Sequence, residues 1–310
     1  MFTSFLRIIA DGTECAMNRP IAMAFALLVC LASDAGAVDL AVLVEPPGQF
    51  AGLDTHRLYY RCVGRGSPTI VIDTGLGGSA IEWTPVQDAL AAHTRVCTYD
   101  RAGYGWSDPG PSPRTVDRAV DELRELLARA GERPPWLLIG HSLGGFHVRY
   151  MAARHAEEVV GLVLVESSHP QAVPAIAQAP DGRRHAIDEA RLTAAAGDDS
   201  AYAQAASYLN SRRKAVFAQM DELAHFADSA AQVAAVAPRV AMPLVVIARD
   251  TAAGDDAARE SHWRTLQRSL LTLSPDARFI EASDAGHEVH LKRPDVIVDA
   301  VRELLGRPAS

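Results

Sequence analysis

Residues 136–146 read WLLIGHSLGGF, an apolar run that passes through Gly140-His141-Ser142-Leu143-Gly144 straight into a helical pattern. A turn between a buried strand and a helix is made more easily with Asn, Asp or Pro, so small residues on both sides of one serine need a reason. The match to G-x-S-x-G is weak by itself, because a chain of this length meets it by chance about once in ten at ordinary Gly and Ser usage. The strand running in and the helix running out give it weight. In that context the serine sits on a strained backbone with its hydroxyl pointing out of the sheet. Side chains at 140 and 144 would then strike the neighbouring strand and helix, and glycine avoids this.

The remaining sequence supplies the sheet that such a turn requires. HRLYYRCVG (56–64), TIVID (69–73), RVCTYD (95–100), WLLIG (136–140) and VVGLVLVE (159–166) read as strands. Between them WTPVQDALAA (83–92) and TVDRAVDELRELLARAG (115–131) read as helices. Alternation of this kind predicts a mostly parallel, twisted α/β sheet with helices on both faces. Residues 170–240 break the rhythm: they are rich in Ala and Gln, with helical periodicity and no convincing strand. The strands PLVVIAR (243–249) and ARFIEA (277–282) then return, with a helix around SHWRTLQRSLLTL and a last one, PDVIVDAVRELLG, that starts on Pro294, a favoured first helical position. The expectation is an α/β core of residues 38–169 and 241–310, with 170–240 inserted after the sixth strand as a helical cap. An independent domain would bring a flexible polar linker at each end, and none is visible.

Residues 1–37 read as an export signal rather than as fold. A basic flank, Asn18-Arg19-Pro20, precedes the apolar run IAMAFALLVCLA and the small tripeptide Ala35-Gly36-Ala37. These are the parts of a cleavable signal peptide, too short to span a bilayer, and cleavage is expected after Ala37. Asp11 and Glu14 fit poorly in such a leader, which makes Met17 an alternative start; a retained N-terminal anchor is the competing reading. Cys30 follows Val29 rather than the small residue that lipoprotein sites resemble. Localisation outside the cytoplasm, periplasmic or secreted, is therefore expected, with no stable membrane insertion after cleavage. Cys62 and Cys97 then remain in an oxidising compartment, in two β-like runs, and either form a disulfide or are buried thiols.

Composition excludes one partner class. With 30 Lys+Arg against 38 Asp+Glu the net charge is −8, which provides no basic field for a nucleic acid.

A serine hydroxyl is a poor nucleophile without a base. Among eleven histidines, His287 in SDAGHEVH directly follows the strand ARFIEA, at the sheet edge where reacting groups collect in open α/β folds. His290 is the alternative base; His141 and His147 read as packing or surface residues, and His169 as lining the cap entrance. Charge developing on a substrate carbonyl needs two preorganised N–H donors. Leu143 follows the nucleophile and is the first. Leu76, in the loop Asp73-Thr74-Gly75-Leu76-Gly77-Gly78, is the second, with Gly75 and Gly77 permitting close approach. A phosphate-binding reading of that loop fails on spacing, since no G-x-x-x-x-G-K follows.

Taken together GHSLGG, DTGLGG, YDRAGYGWSD (99–108) and AGHEVHLKRPDVIVDAV resemble the α/β-hydrolase superfamily, in its capped, serine-nucleophile branch similar to esterases and lipases. The likeness runs over about residues 55–305. Thr74-Gly75 stands where that family usually has His-Gly. The resemblance implies that Asp100 and Arg101 form a structural turn, and that an acid precedes the histidine in chain order. Glu166, at a clean strand end, is placed slightly ahead of Asp250, with Asp255 and Asp256 less favoured. The acid would accept the second ring N–H of His287 and stabilise the imidazolium. The implied activity is hydrolysis of a small-molecule ester-like substrate through an acyl-enzyme, without metal or organic cofactor. Peptidase, thioesterase and carbon–carbon hydrolase chemistry share the same triad. A non-catalytic binding protein for a small apolar ligand is the alternative from another class. Epoxide hydrolase and dehalogenase relatives carry Asp where this chain has Ser142.

Overall fold

Five consecutive fully buried residues, Thr69–Asp73, and six more, Trp136–His141, form the two central strands. Strands covered on both faces read as continuous apolar runs, and these do. The computed structural model describes residues 46–172, 201–236, 239–250 and 257–306. The leader, residues 173–200 of the cap span, and Asp255 and Asp256 lie outside the described residues.

In chain order the strands are β1 (Gln49–Gly52), β2 (Arg57–Val63), β3 (Thr69–Asp73), β4 (Val96–Tyr99), β5 (Trp136–His141), β6 (Val159–Val165), β7 (Leu244–Arg249) and β8 (Ala277–Ala282). The helices are α1 (Thr84–Ala91), α2 (Val116–Arg129), α3 (Gly144–Arg154), α4 (Ala201–Ser211), α5 (Arg213–Ala224), α6 (Phe226–Ala235), α7 (Ala257–Ser269), α8 (Val289–Lys292) and α9 (Pro294–Leu305). All eight strands join one sheet in the order β1-β2-β4-β3-β5-β6-β7-β8. β1 and β2 run antiparallel to their neighbours and the others are parallel. Every strand expected from the sequence is present; β1 and the short α8 are additions.

The topology decides where a site can form. From β3 the chain steps outward to β4, whereas from β5 it steps the other way to β6. The loops after β3 and β5 therefore diverge over two adjacent strand ends, with Asp73 opposite Gly140, and such switch points are where α/β sheets bind ligands. Two apolar clusters lie on the two faces of the sheet, one including Leu138, Phe146 and Leu164, the other Ile72, Ile139 and Val165.

Cys62 and Cys97 sit opposite one another on antiparallel β2 and β4 and are joined by a disulfide. The segment between β6 and β7 contributes α4, α5 and α6, and no strand among its described residues. α4 and α5 pack over the loops that follow β3 and β4, whereas α6 packs against α2 and α3, with Phe226 on Phe146 and Ser229 on the Val116 amide. Ala205, Ala206 and Leu209 of α4 cluster with Ile81 and Trp106, and Ala215 and Ala218 of α5 with Tyr104. No helix among the described residues is long and apolar enough to cross a membrane.

Candidate active site

Ser142 stands between β5 and α3 with φ of 50°, a conformation costing a non-glycine residue about 1–3 kcal/mol. Three hydrogen bonds impose it. Its amide donates to Val165 O (3.1 Å), and its carbonyl accepts from Gly145 N (3.0 Å) and Ser168 N (2.9 Å). The flanking glycines are sterically required: a Cβ at 140 would lie 2.5 Å from Val148 Cγ2, and one at 144 would lie 2.3 Å from Asp73 O. Both reasons anticipated from the motif, strain and crowding, are thus present in the turn.

Glu166 is the residue after β6, fully buried, and also at positive φ (46°). The positive φ turns its side chain along the sheet edge toward β7. There its carboxylate accepts from Arg249 N (2.8 Å), from Trp263 Nε1 (3.1 Å) and from the Arg249 guanidinium. His287 Nδ1 lies 3.1 Å from Glu166 Oε2. A carboxylate accepts, so Nδ1 carries the hydrogen, which leaves the lone pair on Nε2. Asp250 is occupied elsewhere: its carboxylate accepts from Asp284 N at 3.3 Å, bracing the loop that leads to the histidine. The geometry puts Glu166, rather than Asp250, against His287.

His141 links this pair to the serine. Its ring packs at 4.8 Å between centroids from that of His287, and its Nε2 lies 3.0 Å from His287 O. Burial holds its pKa well below the usual imidazole range. The ring is therefore a neutral donor to that carbonyl, and places no positive charge beside His287. No hydrogen bond joins Ser142 Oγ to His287 among the described residues; catalytic contacts of this kind are often long in unliganded structures. The His287 side chain is 40% exposed, so water reaches it.

His290 is excluded as a base by its position. It is 1% exposed, stacked on Trp83 at 4.5 Å, with its ring nitrogens 3.8 Å from Glu82 and 3.7 Å from Glu288. Donor atoms of His141, Glu288 and His290 lie within 4.8 Å of one another; His141 Nε2 already serves the His287 carbonyl. His147 is buried with Nδ1 3.1 Å from Asp73. His169 contacts Ser269.

The two expected amide donors belong to peptides whose carbonyls are already held. In a trans peptide the C=O and the following N–H point opposite ways. The Ser142 carbonyl is fixed by Gly145 and Ser168, which turns the Leu143 amide to the other face, at the positive end of α3. The Gly75 carbonyl is fixed by Arg101 Nη2 (2.9 Å) and Gly78 N (3.1 Å), which orients the Leu76 amide in the same manner. Gly75 itself abuts the nucleophile: a Cβ there would lie 3.2 Å from Ser142 Cβ.

Sequence reasoning missed Arg249 and Trp263, which hold the Glu166 carboxylate. Arg249 was visible only as the end of a strand, and Trp263 only as a helical residue; neither type signals a role. It also missed that Arg101 serves the oxyanion loop.

Residues 68–229 match the family described as the alpha/beta hydrolase fold. Among curated proteins, the chain is 26% identical to the uncharacterized protein YqjL of Bacillus subtilis, over 78% of this chain and 85% of that protein. It is 40% identical to a putative carbamate hydrolase, RutD, of Yersinia enterocolitica, but over 36% of this chain and 41% of that protein, so less than half of that relative is spanned. Among solved structures, an enol-lactonase from Burkholderia xenovorans LB400 superposes with a TM-score of 0.66 at 24% identity, covering 84% of this chain and all of that one.

Proposed function

The chain belongs to the α/β-hydrolase fold family, and from that premise we propose that it is an exported serine hydrolase cleaving carboxylic esters of small molecules. The observation that carries the reading is the Glu166–His287 contact beside a strained Ser142. A merely structural histidine loop does not need a buried acid on Nδ1 and a water-accessible ring.

In the proposed reaction Ser142 Oγ attacks the ester carbonyl and its proton passes to His287 Nε2. The imidazolium is stabilised by Glu166. The carbonyl oxygen becomes an oxyanion facing the Leu76 and Leu143 amides. Collapse expels the alcohol, which takes the proton from His287. Water, deprotonated by the same nitrogen, then attacks the acyl-enzyme, and the acid leaves with Ser142 regenerated. A lactone is a cyclic ester, and the structural neighbour from Burkholderia xenovorans LB400 is an enol-lactonase.

The missing Ser142–His287 hydrogen bond favours the second reading, a binding protein that keeps the fold for a small apolar ligand. A fluorophosphonate probe separates the two. The enzyme reading expects labelling of the folded protein that disappears in Ser142→Ala, together with turnover of p-nitrophenyl esters of graded chain length. A folded wild type that neither labels nor turns over is the binder.

A further inference from the structure

Arg101 is 2% exposed and uses all five of its N–H groups. Nε and Nη2 reach the two carboxylate oxygens of Glu222 on α5, at 2.8 and 3.1 Å. Nη1 donates to Asp73 (2.8 Å) and to Thr74 O (2.7 Å), and the second hydrogen of Nη2 to Gly75 O (2.9 Å). One guanidinium therefore holds two consecutive carbonyls of the oxyanion loop while a helix of the inserted segment grips its other edge. Tyr104 Oη donates to Glu222 at 2.7 Å, and Asp73 is held in turn by Tyr99 (2.6 Å) and His147 (3.1 Å). The fork geometry is specific to arginine, because an ammonium has three donors and no fixed plane.

We propose that Arg101 is a positioning residue for the oxyanion amide of Leu76, and that Glu222 loads it, so that seating of the inserted helices controls the chemical step. This rests on the serine-hydrolase reading above. The carbonyl of Gly75 and the amide of Leu76 share one peptide plane, so whatever fixes the first aims the second. Without the Glu222 charge, Arg101 is drawn toward Asp73 alone and its grip on Gly75 O slackens. Gly78 N still holds that carbonyl at 3.1 Å, so the amide is misaimed rather than lost.

The test compares wild type, Glu222→Gln and Tyr104→Phe, each confirmed as folded by thermal melting, with the best p-nitrophenyl ester and a trifluoromethyl ketone matched to its acyl group. Removing a whole oxyanion donor costs about 10²–10³ in kcat. Misaiming one should lower kcat about tenfold in Glu222→Gln and about threefold in Tyr104→Phe, with KM within about twofold. Affinity for the ketone, whose adduct carries the oxyanion, should fall by the same factor as kcat. An unchanged kcat, a loss confined to KM, or a fall in kcat with ketone affinity intact overturns the proposal. Tyr104→Phe carries the test if Glu222→Gln does not fold. Failure of the underlying reading is separable, since it appears in the wild type as absence of labelling and turnover.

Discussion

At the scale of single residues, Glu166 and Asp250 differ in what surrounds them rather than in chemistry. Glu166 is buried among Arg249, Trp263 and His287, so in the proposed reaction removing its charge would deprive the imidazolium of its counter-ion. Asp250 braces the Asp284 backbone. Glu166→Gln should therefore lower kcat by about 10²–10⁴, and Asp250→Asn by less than about tenfold. Steady-state kinetics on the two variants decide, and the reverse ranking assigns the acid to Asp250. Ser142 and His287 stood out as candidates in the sequence because each sits in a short motif tied to a strand end. The candidate acid was legible only as a ranking, Glu166 slightly ahead of Asp250 with Asp255 and Asp256 behind, because two successive strands, β6 and β7, are each followed by a carboxylate near the same loop. Choosing between them depends on where a side chain turns at positive φ, and no sequence pattern encodes that.

Among the ties that hold elements to one another near the site is the buried turn after β4. Asp100, the residue after β4, accepts from Ala80 N at 2.7 Å and from Trp106 N at 2.9 Å, tying the start of the segment before α1 to the YDRAGYGWSD turn. Burial raises its pKa to about 6 even though both amides favour the charged form. A carboxyl that binds its proton more tightly folded than unfolded adds stability at low pH, and that contribution is lost as pH rises through about 6. The shift from 3.8 to about 6 corresponds to roughly 3 kcal/mol. The stability of wild type relative to Asp100→Asn should therefore fall by roughly 2 kcal/mol between pH 4 and pH 7, read by chemical denaturation of both proteins. A flat difference would mean that Asp100 is no harder to ionise in the fold than in the unfolded chain. The sequence announced the strands and long helices well, because apolar runs and 3.6-residue periodicity persist over several residues. It did not announce β1, whose four residues QFAG have one buried member and owe their strand to pairing with β2.

For the molecule as a whole, the proposed export and the disulfide bear on one another. Cys62 and Cys97 close a loop of 35 residues between β2 and β4, worth about 2–4 kcal/mol in the chain-entropy account. Such a bond persists only where thiols are not continually reduced, and the leader read from residues 1–37, or from Met17 onward, would deliver the chain to that environment. If both readings hold, the full-length chain expressed in a secreting bacterial host should be recovered outside the cytoplasm beginning at Val38. Its two remaining cysteines should resist alkylation until a reductant is added. Reduction should then lower the melting temperature by about 3 to 7 °C, from the loop term and the usual entropy of unfolding for a domain of this size. Intact-mass and N-terminal measurement with and without reductant reads the first two quantities, and thermal melting of both forms reads the third. A cytoplasmic product that keeps residues 17–37 sinks the export proposal, while thiols that alkylate in the native state sink the disulfide independently. The antiparallel β2–β4 pairing would then rest on its hydrogen bonds and side-chain packing alone, at the one edge of the sheet that no parallel crossover reinforces.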